Sequence, residues 1–128
     1  MAGLDITPRP GAGKQLVTSY GNGGFKISGQ RFEGSVIVFP DRTITWPLAD
    51  QAEIAIEALS EVTGATEAVR VLIVGCGRQF SCPPIALHEA LRMQGIALEW
   101  MDTGAACRTY NVLVLEGREV AAALIAVD

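Results

Sequence analysis

Two short segments of the chain carry residue types suited to chemistry, and the first is a glycine-flanked turn. Gly75, Cys76 and Gly77 follow an apolar run, and Glu99 ends a later predicted strand. Glycines after a strand let a pyrophosphate approach the backbone, and an acidic residue further on can bind a ribose hydroxyl. Phe80 occupies the position of the third glycine of that fingerprint. The pattern therefore indicates either a nucleotide-binding turn or a tight structural turn.

The second segment is Cys107 followed by Arg108, near the start of a predicted helix. The helix dipole and the guanidinium both favour a thiolate over a thiol, so Cys107 is a candidate nucleophile. A nucleophile needs a base, and His88, the single histidine of the sequence, lies on another predicted helix. A packed helix cysteine is the alternative, and we predict no catalytic residue.

Metal binding is not expected from the remaining sulfur and imidazole groups. Five residues separate Cys76 from Cys82, and five separate Cys82 from His88. Metal sites typically contain a close ligand pair, which this spacing lacks. The three cysteines are expected to be reduced thiols, and no cofactor is predicted.

Carboxylates recur at intervals of three, four and four residues at Asp50, Glu53, Glu57 and Glu61. On a helix this spacing places them along one edge without neighbouring Lys or Arg. Such a row is either a solvated face or a docking face for a basic protein partner.

The amino-acid composition indicates which classes of protein the chain can belong to. Hydrophobic residues make up 49% of the 128 positions, which is ample for a folded core. The net charge of −4 opposes phosphate binding, so nucleic acid is not an expected partner. The longest apolar run, residues 120–127, is too short to cross a membrane. The first residues show no signal or transit pattern, so the expected location is cytoplasmic.

The elements that position these residues fall into two halves. Residues 1–13 are expected to be a flexible lead-in or a loosely packed edge, and residues 14–128 one domain. Between residues 15 and 46, four β-like segments alternate with turn signals, which predicts an antiparallel meander. Later segments predict, in order, a helix over 50–62, a strand over 69–74, a helix from Pro83-Pro84 to Met93 and a strand over 96–100. Strand, crossover helix and strand predict a parallel core.

Residues 102–116 admit two interpretations. Propensity favours a strand at residues 110–115, whereas the cap candidates Asp102 and Thr103 favour a helix. We predict a helix whose apolar stripe is widened by Val112 and Leu115, followed by a buried strand over 119–127.

Clefts form outside the carboxyl ends of parallel strands, so the turn at 75–77 and the start of the 102–116 helix should line one cleft. Free helix amides and an arginine would favour a small anionic ligand there. Alternatively, Arg108 pairs with Glu99 or Asp102 and side chains fill the space. The candidate pocket residues are Gly75, Cys76, Gly77, Thr103, Cys107, Arg108 and Asn111.

Several longer runs resemble one small family, that of the mitochondrial NADH dehydrogenase complex I assembly factor 3 and the adipogenesis-associated protein. The resemblance covers about residues 20 to 125. Its most specific parts are Thr103-Gly104-Ala105-Ala106-Cys107-Arg108-Thr109-Tyr110-Asn111-Val112-Leu113, Glu116-Gly117-Arg118 and Ala121-Ala122-Ala123-Leu124.

The resemblance implies a single α/β domain with a mixed sheet, in which an N-terminal β-meander layer and helices cover opposite sides. It also implies a non-enzymatic role in assembling the respiratory complex through protein partners, such as respiratory-chain subunits. From a different class, the alternative is an enzyme that binds an anion or nucleotide at the 75–77 turn and at Cys107 and Arg108.

Overall fold

The computed structural model describes Leu4–Asp5 and residues 13–128. Strands β1 (Leu4–Asp5), β2 (Val17–Gly21), β3 (Gly24–Ile27) and β4 (Gln30–Glu33) form an antiparallel sheet in that order. A two-residue turn joins β2 to β3, and Asn22 and Gly23 both adopt the positive φ that such hairpins require. Apart from β1, which pairs with β2, and Gly13, the predicted lead-in lies outside the described residues.

A second, mixed sheet has five strands in the order β6-β5-β9-β7-β8. Its strands are β5 (Val36–Val38), β6 (Thr43–Thr45), β7 (Val71–Gly75), β8 (Ala97–Met101) and β9 (Val120–Leu124). β7 runs parallel to β8 and β9, whereas β5 runs antiparallel to β6 and β9. The parallel core is thus confirmed, but the N-terminal strands divide between two sheets.

The continuous helix expected over residues 50–62 is wrong. Two short 3₁₀ turns, Gln51–Glu53 and Ile56–Leu59, precede helix α1 (Ser60–Thr63). On a continuous helix Ile54 and Leu59 would point about 140° apart. The backbone is instead extended at Ile54 and Ala55, and Ile54 and Leu59 are both buried. Burial of both side chains therefore outweighs helical continuity.

The two later helices agree with the sequence. Helix α2 (Ile85–Met93) begins after Pro84, and helix α3 (Thr103–Leu115) begins after Asp102, whose carboxylate accepts the Ala105 amide at 2.9 Å. The expected widening of the α3 stripe is wrong, because Val112 and Leu115 are exposed.

Two apolar cores cover the two faces of the five-stranded sheet. The four-stranded sheet and α3 pack on one face, and α1, α2 and the 3₁₀ turns pack on the other. These layers confirm a single α/β domain with three layers. Within the described residues, no helix is long and apolar enough to cross a membrane.

Candidate functional site

The glycine turn after β7 lies directly against the start of α3. The Thr103 amide donates to the Gly77 carbonyl at 2.9 Å, and the Cys76 amide donates to the Met101 carbonyl at 2.8 Å. A Cβ at Gly75 would lie 3.0 Å from the Cα of Thr103, so a larger residue would have to push the two segments apart by a few tenths of an ångström. The two segments meet in backbone contact, which leaves no cleft between Gly75 and Thr103.

Thr103 joins three parts of the chain at this contact. Its hydroxyl accepts a hydrogen bond from the Gly77 amide at 3.0 Å and donates one to the Ile125 carbonyl at 2.7 Å. The side chain is fully buried, so both backbone groups depend on it for a partner. Thr103 therefore holds the β7 turn, α3 and the segment after β9 together.

The amino end of α3 is occupied by the protein itself. The Asp102 carboxylate accepts the Ala105 amide, and the Thr103 amide is taken by Gly77. The Tyr20 hydroxyl lies so close to Gly104 that a Cβ there would overlap it. An aspartate carboxylate thus caps the amino end of α3, and the Tyr20 hydroxyl lies beside Gly104.

The environment of Cys107 does not activate its thiol. The side chain is fully buried, and burial raises the pKa of the Cys107 thiol, an effect that the nearby Arg108 guanidinium opposes without overcoming. Arg108 is exposed and makes no ion pair within the described part of the chain. Cys107 therefore packs as a small apolar side chain and stays protonated at neutral pH.

Asn111 links α3 to the four-stranded sheet. Its amide nitrogen donates to the Val17 carbonyl at 2.8 Å, and its amide oxygen accepts the Val17 amide at 2.9 Å. Both residues are buried, so the side-chain amide takes the place of a neighbouring strand. Both polar atoms of the Asn111 side chain thus bond within the protein.

The turn does border a cleft, which is lined by no residue of α3. A cavity of about 370 Å³ is lined by Cys76, Gly77, Arg78 and Gln79 together with residues 49–51 and 125–128. Sequence reasoning missed Arg78, although it directly follows the turn. Asp50 and Asp128 bring carboxylates to the same cavity, so its charge is mixed.

The four carboxylates predicted as a docking row are exposed but do not share one helix edge. Asp50 and Glu53 form a capping box around the first 3₁₀ turn, in which Glu53 accepts the Asp50 amide at 3.1 Å. Glu57 and Glu61 instead border a groove of about 400 Å³ beside Trp46. The row therefore divides into a capping pair and a groove pair.

The sulfur and imidazole groups lie in different environments. Cys76 is buried, whereas Cys82 and His88 are exposed. Among the described residues, no group of three or more potential ligands could hold a metal ion.

Comparison with known proteins places this geometry in a family. A family model described as a protein of unknown function (DUF498/DUF598) matches residues 17–125. The human NADH dehydrogenase [ubiquinone] 1 alpha subcomplex assembly factor 3 is 30% identical over 95% of the chain and 66% of its own length. An uncharacterised protein of Rhodobacter capsulatus is 34% identical over 94% of the chain and 93% of its own length.

A solved structure shares the fold as well as the sequence. The crystal structure described as that of an outer membrane protein from Bartonella henselae superposes with a TM-score of 0.83 at 34% identity. The match covers 91% of this chain and 98% of that one. The chain spans about three fifths to two thirds of the length of the first curated assembly factors that it matches. These likenesses confirm the resemblance seen in the sequence: the chain belongs to the DUF498/DUF598 family, which includes relatives named as NADH dehydrogenase assembly factor 3.

Proposed function

We propose that this chain acts by binding protein partners during the assembly of a respiratory NADH dehydrogenase. The observation that carries the proposal is its 30% identity, over 95% of its length, to a relative named as an assembly factor for that complex. The buried residues support a non-catalytic role, because Thr103, Cys107 and Asn111 are engaged in packing or in hydrogen bonds to the backbone.

The surface supports the same proposal. Large apolar side chains are exposed at Phe80 and Ile85, at the two ends of the segment that leads into α2, with exposed fractions of 61% and 81%. The hydroxyl of Ser81 donates to the Gln51 side chain, which links this segment to the first 3₁₀ turn. Exposed apolar side chains mark a protein contact surface where they form a continuous patch, and Phe80 and Ile85 flank the same short segment. The cytoplasmic location expected from the sequence is part of the same proposal.

Deletion of the gene in the organism that encodes the chain tests the proposal. We expect membranes of the deletion strain to lose assembled NADH dehydrogenase on native gels and to lose NADH oxidation, while succinate oxidation is retained. Expression of the wild-type chain should restore both losses. Normal NADH dehydrogenase in the deletion strain would contradict the proposal and favour the small-molecule alternative.

A further inference from the structure

Strand β8 forms one edge of the five-stranded sheet, and half of its backbone groups point away from the sheet. The Ala97 amide donates to the Arg70 carbonyl at 2.8 Å. This hydrogen bond shows which residues of β8 direct their backbone groups toward β7. Alternate residues of a parallel strand bond to the same neighbour, so Ala97 and Glu99 face β7. The N–H and C=O groups of Leu98 and Trp100 therefore face outward.

The other edges of the two sheets are protected in ways that β8 is not. Strand β1 has two residues, and β6 has three and is followed closely by Pro47. Strand β4 carries an exposed ion pair between Arg31 and Glu33 at 2.6 Å. Short strands, prolines and charges are the usual protection of sheet edges. Strand β8 has five residues and a single charged side chain, that of Glu99.

The side chains of β8 define what an added strand must carry. Leu98 and Trp100 are half-buried against the core beneath α2, so further apolar side chains would complete their burial. On the opposite face Ala97 and Glu99 are exposed. Glu99 makes no ion pair with any residue that the structure describes. A complementary strand is therefore apolar on one face and basic on the other.

We propose that the β8 edge binds a β-strand of a protein partner, in antiparallel orientation, with a Lys or Arg opposite Glu99. Backbone hydrogen bonds to Leu98 and Trp100 supply the affinity, and the alternating side chains supply the specificity. This inference rests on the proposed function, because it gives the assembly partner a place to bind and a required charge.

A second copy of the chain fits this edge poorly. Two β8 strands could pair in antiparallel orientation. In one register the outward backbone groups of Leu98 and Trp100 all form hydrogen bonds, and Leu98 of each copy lies opposite Trp100 of the other. That register places the two Glu99 side chains directly opposite each other, and like charges in that position are destabilising. The charge of β8 thus favours a basic strand over a second β8.

Two synthetic peptides test the edge directly on the purified, isotope-labelled chain. Acetyl-Thr-Val-Lys-Val-Thr-amide places Lys opposite Glu99 and valines opposite Leu98 and Trp100, and the matched peptide has Glu in place of Lys. We expect amide resonances of Leu98 and Trp100 to shift and their exchange to slow at millimolar peptide. The Lys peptide should bind about threefold or more tightly than the Glu peptide.

Charge reversal supplies the matched control. In Glu99→Lys the preference should invert, so that the Glu peptide binds more tightly. Equal binding of both peptides, shifts that map away from β8, or no binding would overturn the inference. Shifts of β8 resonances that grow with protein concentration alone would overturn it in favour of a second copy.

A proline can block the same edge in cells. The Leu98 amide faces away from β7, so Leu98→Pro removes an outward donor without removing a bond of the sheet. Leu98→Ala is the matched control, because it loses the side chain and keeps the donor. We expect Leu98→Pro to abolish recovery of NADH dehydrogenase. Leu98→Ala loses apolar contact with the added strand but keeps the backbone donor, so it should lower recovery only in part; equal recovery by the two variants would overturn the inference. If the wild-type chain itself restores nothing, the proposed function fails, while the peptide titration still decides whether β8 binds strands.

Discussion

Asn111 is a buried polar residue of the candidate pocket. Its replacement by alanine tests whether its side chain stabilises the fold or is available to bind a ligand. Its side chain bonds to both backbone groups of Val17, and Val17 is fully buried. In Asn111→Ala the Val17 amide and carbonyl lose their partner together, and the contact between α3 and β2 loses its polar link.

The expected loss follows from those two groups. A buried backbone group left without a hydrogen bond costs about 1 to 3 kcal/mol, so two cost about 2 to 6 kcal/mol. Entry of a water molecule would bring the loss toward the lower value. Domains of this size unfold with about 5 to 15 kcal/mol, so the variant should be clearly destabilised and still folded or nearly so.

Urea unfolding, followed by tyrosine and tryptophan fluorescence, measures the change. We expect the midpoint to fall at an unchanged slope, since the native contacts elsewhere remain. Val112→Ala is the control, because Val112 is the next residue of α3 and its side chain is exposed. Its free energy of unfolding should change by less than about 0.5 kcal/mol. A loss below about 1 kcal/mol in Asn111→Ala would refute the structural role and return Asn111 to the list of ligand candidates.

Three further predictions use the same buried contacts. Thr103→Val should lower the free energy of unfolding by about 2 to 6 kcal/mol, because the Gly77 amide and Ile125 carbonyl lose their partner, and Thr103→Ser should recover most of it in urea unfolding. A thiol reagent at pH 8 should label Cys82 in the folded chain and leave Cys107 unlabelled until urea is added. Since burial raises the pKa of Cys107, the unfolded chain loses that proton first, and the free energy of unfolding should fall above about pH 9 by about 1.4 kcal/mol per pH unit. Cys107→Ala should remove that slope between pH 9 and 10.

The elements with strong local signals were predictable from the sequence. Strand β7 is a run of branched apolar residues, and α2 is bounded by Pro84 and Gly95, so local preference and tertiary environment agree there. Strand β4 was missed, because Phe32 is its one apolar residue. It forms through pairing with β3 and through Arg31, which donates to the Asn22 carbonyl at 2.9 Å. Such contacts are set by the partner strand rather than by the segment itself.

The contact between the Gly75 turn and the start of α3 was predictable, but the packing between them was not. The topology of parallel strands brings the Gly75 turn to the start of α3, as expected from chain order alone. Backbone hydrogen bonds of Thr103 and Cys76 close the gap between these segments, and the Thr103 hydroxyl adds two more hydrogen bonds. The spacing of residues along the sequence does not predict contacts of a few ångströms, and the cavity beside Arg78 was missed.

Residues 103–113 are the most specific part of the family resemblance, and the contacts of α3 inside the fold explain their residue types. Ala106 and Cys107 are small enough for the helix to lie close to both sheets, and Tyr110 donates through its hydroxyl to the Gln15 carbonyl at 3.0 Å. Asn111 then bonds to Val17 on β2. Together these residues set the position of the four-stranded sheet over the five-stranded one. Arg108 is the charged member of this run, and it points to solvent. Partner recognition is therefore to be sought on exposed groups such as Arg108 and the β8 edge, which the buried residues hold in place.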